Sequence, residues 1–257
     1  MKLGPETRRQ VGDNYEQIIF QLLKDFGWRA VRENFEISVS KDIRVSGQQG
    51  GDGTFAYFDP LLNYHIGVYV ESKKCKNLDL FRKELPKWLT NVDSMVHSLD
   101  TNIFSLPFRE RSGNDLVRVQ EGLLSVWIDE DFQHAKFRSI TEERIKKFLL
   151  ESSNKSEFAV ITVFANSKLL QLQAVVTQLF GLVGKHKLSG SYQFVYPTRG
   201  PEEAPNLMML SSDYLFVRAL EEGNGGHFQL VVFHLGETSM QQLKHFTASV
   251  INVLGDC

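Results

Sequence analysis

Three side chains stand at spacings that chemistry can use: Asp52, Glu71 and Lys73. Residues 54–58 and 64–73 read as strands around Asp59-Pro60-Leu61-Leu62-Asn63, whose Asp-Pro start signals a turn and whose length suits a hairpin loop. With that loop centred near Leu61 and Leu62, paired positions sum to about 123, which sets Asp52 opposite Glu71. Alternation along a strand then turns Glu71 and Lys73 to one face and Ser72 to the other. Two carboxylates about 4 Å apart repel by roughly 1 kcal/mol in water and about 4 kcal/mol at an effective dielectric near 20, so a partly buried pair needs a cation. Lys73 supplies one charge, which falls short if Glu16 also approaches. Hard oxygen ligands with positions left for water suit Mg²⁺ or Mn²⁺, held by Asp52, Glu71 and the backbone carbonyl of Ser72. Such an ion acidifies a bound water and polarises a phosphoryl oxygen. Lys73 is then placed to orient or deprotonate the attacking water and to offset charge on the pentacovalent phosphorus. The chemistry implied is phosphodiester hydrolysis.

The elements that must position these groups follow from hydrophobic periodicity. Residues 14–26 carry Tyr15, Ile18, Ile19, Leu22, Leu23 and Phe26 at helical spacing, with Asp13 as N-cap and Gly27 as the left-handed stop. Residues 28–39 alternate as a half-buried strand, and the glycine-rich stretch 46–53 reads as a loop or a bulged approach to the hairpin. A second amphipathic helix starts near Leu78 and runs to Leu99, kinked or split at Pro86. Residues 123–128 form a short apolar strand and 140–150 a charged amphipathic helix. Residues 151–156 are the best linker. Beyond them come strand 158–164, helix 168–183, strands 192–196, 214–220 and 228–235, a Gly-Asn-Gly-Gly turn at 223–226 and a last helix, 239–254.

Asp52, the 18 residues that follow it and Glu71-Ser72-Lys73, after an N-terminal helix bearing Glu16, resemble the PD-(D/E)XK, or restriction-endonuclease-like, nucleases. The resemblance covers residues 14–128, about half of the chain. It implies an α/β fold, a mixed sheet flanked by helices, with the aspartate on the second strand and the E-x-K on the third. It also implies that Asp52 and Glu71 are metal-binding acids, that Lys73 is the catalytic lysine, and that Glu16 is the further acid some members supply from the first helix. Gly51 stands where the proline of the family's name would be. Glu16 has a competing reading, because Asp13-x-x-Glu16 has capping-box spacing. Gln17, beside it, is a candidate to hydrogen-bond the scissile phosphate.

Residues 71–87 hold six basic side chains against three acidic ones. Lys74, Lys76, Lys83 and Lys87 are the candidates for backbone-phosphate contacts, which give salt-dependent, largely sequence-independent affinity. Their bland alternative is a solvated helix face. Other patterns fail. Gly51-Asp-Gly53-Thr-Phe-Ala56 spells a dinucleotide fingerprint, but β-rich residues follow where a helix must begin. No Walker A sequence or nucleophile elbow occurs, the histidines show no ligand spacing for zinc, and Asp129-Glu130-Asp131 reads as a solvated turn.

Composition bounds the rest. The chain has 257 residues, 42% hydrophobic and 23% charged, which is enough for a globular core and excludes disordered or collagen-like classes. With 29 basic and 31 acidic residues its formal charge is -2, so polyanion binding must come from a local patch. Two cysteines, no apolar run of membrane-spanning length and no secretory signal suggest a reducing cytoplasm and no membrane. The expectation is a nuclease-like domain, 1–152, followed by a second α+β domain, 157–257, for regulation, assembly or target selection. The family resemblance implies metal-dependent hydrolysis of DNA as the function, and a small nuclease fused to a second domain is similar to anti-phage defence effectors, whose cutting is held in check by a partner. Two alternatives stand beside it. One is a catalytically silent scaffold whose apolar stretches 207–210 and 228–235 dock a companion subunit. The other is a structure-selective resolvase acting as a dimer.

Overall fold

The computed structural model describes residues 5–39, 47–100, 104–107, 114–130, 132–151, 158–185, 188–196, 200–221, 228–236 and 244. Two compact units emerge: Met1–Lys24 with Trp28–Ala56 and His65–Leu169, and Asp25–Gly27 with Tyr57–Tyr64 and Leu170–Cys257.

The first unit holds most of α1 (Pro5–Asp25), all of β1 (Arg29–Val39), and most of β2 (Gly47–Asp59) and β3 (Tyr64–Cys75). Then follow α2 (Leu78–Asp100), β4 (Phe104–Pro107), β5 (Asn114–Ile128), α3 (His134–Glu151) and β6 (Val160–Ala165). The sheet order is β1-β2-β3-β5-β4, with β6 also paired to β5. β1 and β2 are antiparallel, whereas β3 and β5 run parallel, as a crossover through α2 requires. β5 is long enough, at about 3.3 Å per residue, to take β4 along its first turns of pleat and β6 farther on. This mixed sheet flanked by helices fits the restriction-endonuclease-like core that the resemblance implies.

Several elements differ from expectation. α1 begins at Pro5, not after Asp13. Residues 5–13 lack an apolar stripe but are rich in good helix formers, and proline is preorganised for a first helical position. Asp13 is therefore inside the helix, and the capping-box reading of Glu16 falls. The glycine-rich approach to the hairpin is strand from Gly47 on, while Ser46 lies outside the described residues. α2 is not split at Pro86. The missing N–H costs one bond to the carbonyl four residues back, and the buried stripe of Phe81, Leu85, Val92 and Met95 holds both halves to one core.

The strand expected to open the second domain is β6, and it pairs in parallel with β5 in the first sheet. Two side chains tie it there. Asp93, fully buried on α2, accepts the Ala159 N–H at 3.1 Å. Asn166 accepts the Ile128 N–H at 2.9 Å and donates to the Ile128 carbonyl at 2.7 Å, closing the end of the ladder.

The second unit holds most of α4 (Asn166–Lys185) and the strands β7 (Leu188–Tyr196), β8 (Gly200–Glu202), β9 (Tyr214–Glu221) and β10 (Phe228–His234). These strands form an antiparallel sheet in the order β10-β9-β7-β8, so an α+β region follows the nuclease-like core. A short helix, α5 (Leu207–Ser211), is capped by Asn206, whose Oδ1 accepts from Met209 N at 2.8 Å. The apolar stretch 207–210 is thus largely committed internally: Leu207 and Leu210 are buried and Met208 is exposed. The turn at 223–226 and Cys257 lie outside the described residues, as does the expected helix 239–254 apart from Lys244. No helix among the described residues is long and apolar enough to cross a membrane.

Gly122 on β5 sets how closely α2 approaches the sheet, since a Cβ there would lie 2.4 Å from Val92 Cγ1. Gly122→Ala is therefore expected to lower stability by roughly 1–3 kcal/mol through overpacking. Urea denaturation measures this, and an unchanged midpoint would contradict the packing described.

Candidate active site

The hairpin that carries the acids is built locally. Asp59 Oδ1 accepts the N–H groups of Leu61 and Leu62 at 2.8 and 3.1 Å, and the Asp59 carbonyl accepts Asn63 N–H at 2.8 Å. Asn63 completes the turn at φ 60, a conformation asparagine tolerates. Asn206 Nδ2 donates to the other Asp59 oxygen at 3.1 Å and so fixes the turn's first residue.

Along the ribbon, Asp52 Oδ2 accepts the Ser72 N–H at 2.7 Å, so the aspartate reaches the strand that carries Glu71 and Lys73. Glu71 is 6% exposed, and its Oε1 lies 2.5 Å from Lys73 Nζ. Its other oxygen accepts the Tyr69 hydroxyl. Tyr69 is fully buried in the cluster that α2 makes with the sheet. The site is thus anchored on its core side by Tyr69 and balanced on its open side by Lys73.

The β1–β2 register pairs Glu33 with Gly53 and Phe35 with Gly51, which leaves Asn34 facing Asp52. Asn34 adopts φ 49, a left-handed conformation that asparagine tolerates. Gly51, where the family resemblance expects proline, faces Phe35 and Met95, and a Cβ would lie within 3 Å of both.

Electrostatics follow from this crowding. Burial, and then the charge of Glu71, push the Asp52 carboxyl up, while Lys73 and the Ser72 N–H only partly offset them. Burial pushes Lys73 down, but Glu71, Asp52 and Glu16 together outweigh it, so its ammonium is held above the ordinary lysine value. Burial and the neighbouring Glu71 raise the Tyr69 phenol far above its usual range, so it stays a donor. Burial pushes the Cys75 thiol up to about 11, with Asp129 adding to the effect, so at neutral pH it is no thiolate.

Glu16 reaches the same neighbourhood from α1. Tyr15, the preceding residue, stitches that helix to β5 through a 2.7 Å hydrogen bond with Ser125 Oγ and a ring contact with Trp127. Glu16 is half-buried and its charge acts on Lys73, whereas Gln17 is exposed. Among the described residues, no three His, Cys, Asp or Glu side chains gather closely enough to enclose a metal ion alone. An ion here would rest on the Asp52 and Glu71 carboxylates, the Ser72 carbonyl and water. That donor set fits: it is all hard oxygen, it leaves open positions, and it carries more negative charge than Lys73 neutralises.

The basic candidates divide into two groups. Lys74 Nζ lies 3.0 Å from Asp129 and Lys76 Nζ 3.5 Å from Glu130, while Lys83 and Lys87 are exposed on α2. Asp129 and Glu130 are not merely a solvated turn. Their N–H groups donate to the Cys75 and Lys76 carbonyls at 3.0 and 2.8 Å, prolonging the contact of β5 with β3, and Asp131 lies outside the described residues. Sequence reading missed Tyr69 and Asn34. Alternation already sets Tyr69 on the face of Glu71, and an asparagine inside a strand was the one signal for the other.

A family model described as the GAPS4 protein PD-(D/E)XK nuclease domain matches residues 3–168. No curated protein and no solved structure matches the chain.

The charge balance makes stability depend on pH when Lys73 is replaced. A carboxyl raised on folding stabilises below its unfolded value and costs stability as pH rises through its folded one. Lys73→Met removes the principal offset to that rise in Asp52. The variant is expected to be roughly 1.5–3 kcal/mol less stable than wild type near pH 7, with a gap that closes as pH falls toward about 4 and Asp52 protonates. Urea unfolding across pH 4–8 reads this, and a gap independent of pH would contradict it.

Proposed function

The chain belongs to the family of PD-(D/E)XK nuclease domains of GAPS4 proteins, and from that premise we propose a divalent-metal-dependent nuclease that hydrolyses phosphodiester bonds in DNA. The observation that carries the reading is the meeting of Asp52, Glu71 and Lys73 at one half-buried site on the hairpin. Asp52, Glu71 and the Ser72 carbonyl are the proposed ligands of Mg²⁺ or Mn²⁺, with Glu16 the further acid. When bound, such an ion supplies Lewis-acid polarisation of a phosphoryl oxygen and an acidified water.

The chain's own groups do the rest. Lys73 is the proposed group that orients or deprotonates the attacking water and offsets charge on the phosphorane oxygens, and before an ion binds Glu71, Asp52 and Glu16 hold its ammonium above the ordinary lysine value. Tyr69 stays protonated and donates its hydroxyl to Glu71. Lys83 and Lys87, exposed on α2, are the proposed phosphate contacts, with Gln17 a candidate donor to the scissile group. Lys74 and Lys76 join them only by leaving Asp129 and Glu130, so their net contribution is expected to be smaller. In the cell we assign the chain to anti-phage defence in the cytoplasm, a role supported by its GAPS4 membership. The α+β region is the proposed seat of control, through a second copy or a companion subunit.

Purified protein, supercoiled plasmid and Mg²⁺ or Mn²⁺ test the activity. Wild type is expected to cut, chelation by EDTA to stop it, and Glu71→Ala or Lys73→Ala to slow it on the order of 10²–10³-fold. Equal cutting by all three proteins would remove these residues from the chemistry. Silence from all three would favour a scaffold or a missing activator, and preference for branched over linear duplex would favour a resolvase. Lys83→Ala and Lys87→Ala are each expected to reduce the slope of log affinity against log salt by about 0.9. Unchanged slopes in DNA-binding titrations would place the phosphate contacts elsewhere.

A further inference from the structure

Glu71 has two carboxylate oxygens, and the fold treats them differently. Oε2 takes the hydroxyl of Tyr69, a residue with no exposed surface, enclosed by the cluster that includes Met95, Val119 and Leu124. Oε1 takes the ammonium of Lys73, whose side chain is 28% exposed on a flexible four-carbon stem. The first partner cannot leave without disturbing the core. The second can swing away, and a divalent cation arriving at the site repels it.

We infer that Tyr69 is a positioning residue: it pins Glu71 Oε2 so that Oε1 stays on the Lys73 side of the site, while Lys73 is a placeholder that the metal ion displaces. The inference rests on the metal-nuclease reading and adds an order of events to it. Loading the ion exchanges one cation for another at Oε1 and releases the Lys73 ammonium toward the substrate phosphate. Without the Tyr69 hydroxyl, the carboxylate is free to rotate and to offer either oxygen to Lys73, so the ion meets a site that is not prearranged. Groups that orient a ligating carboxylate in this way are typically worth 10–100-fold in metal affinity.

The test is Mn²⁺ binding measured by calorimetry on the full chain, with Tyr69→Phe, Glu71→Gln and Lys73→Met beside wild type. Tyr69→Phe keeps the ring that fills the core, and its urea unfolding curve separates a folding defect from a site defect. The expected results are an Mn²⁺ dissociation constant raised about 10–100-fold in Tyr69→Phe, no measurable binding in Glu71→Gln, and binding at least as tight as wild type in Lys73→Met. Plasmid cleavage by Tyr69→Phe is expected to need more Mn²⁺ yet approach the wild-type rate at saturation. Wild-type affinity in Tyr69→Phe, with binding lost in Glu71→Gln, overturns the role of Tyr69 and leaves the metal site standing. Weaker binding in Lys73→Met overturns the exchange, a result that does not depend on Tyr69→Phe folding well. Equal binding, or none, in wild type and Glu71→Gln overturns the metal reading and this inference with it.

Discussion

The 2.5 Å contact between Glu71 and Lys73 is one half of an unequal balance. Two carboxylates and the nearby Glu16 crowd a region where water is scarce, and a single ammonium answers them. At an effective dielectric near 20, a like-charged pair about 4 Å apart costs about 4 kcal/mol, a large fraction of a domain's net stability. A fold tolerates that cost where the excess charge is put to use. Several local structures sustain it. The hairpin turn fixes register, α1 brings Glu16 through the Tyr15–Ser125 contact, and α2 packs the core in which Tyr69 is rooted.

The same constraint explains why the strand carrying Asp52 looks unusual. Gly51 faces Phe35 and Met95, and Gly53 faces the Phe20 ring at 2.6 Å from a hypothetical Cβ. Small residues there let the helices and β1 close over the strand while Asp52 is the one side chain among the three. Asn34 stands opposite Asp52 with a left-handed backbone. A proline at residue 51 would bring its Cβ within 3 Å of Phe35 and Met95, so glycine is what the packing there accommodates.

The trio 52, 71 and 73 was legible in the sequence because its geometry is short-range: a turn with strong chemistry, two strands, and the alternation of side chains. The hidden features are nonlocal or lack a periodic signature. Nothing in the apolar pattern of β6 says which sheet it joins; that choice is made by Asp93 and Asn166, far away in sequence. The first turns of α1 have no buried stripe to announce them. The pairing of Lys74 and Lys76 with Asp129 and Glu130 crosses a parallel strand pair separated by a whole helix, so the basic run looked more available to phosphate than it is. Tyr69 was hidden for a different reason, since a tyrosine in an apolar strand reads as core, and here it is core and hydrogen-bond donor at once.

The central claim is that the hairpin forms a seat for a divalent ion. Crystals soaked in Mn²⁺ and measured at a wavelength where manganese scatters anomalously address it directly. The account predicts an anomalous peak about 2.0–2.2 Å from carboxylate oxygens of both Asp52 and Glu71, with the Lys73 ammonium withdrawn from Glu71. Full Mn²⁺ exposure with no peak between those carboxylates, and the Glu71–Lys73 contact intact, would contradict it.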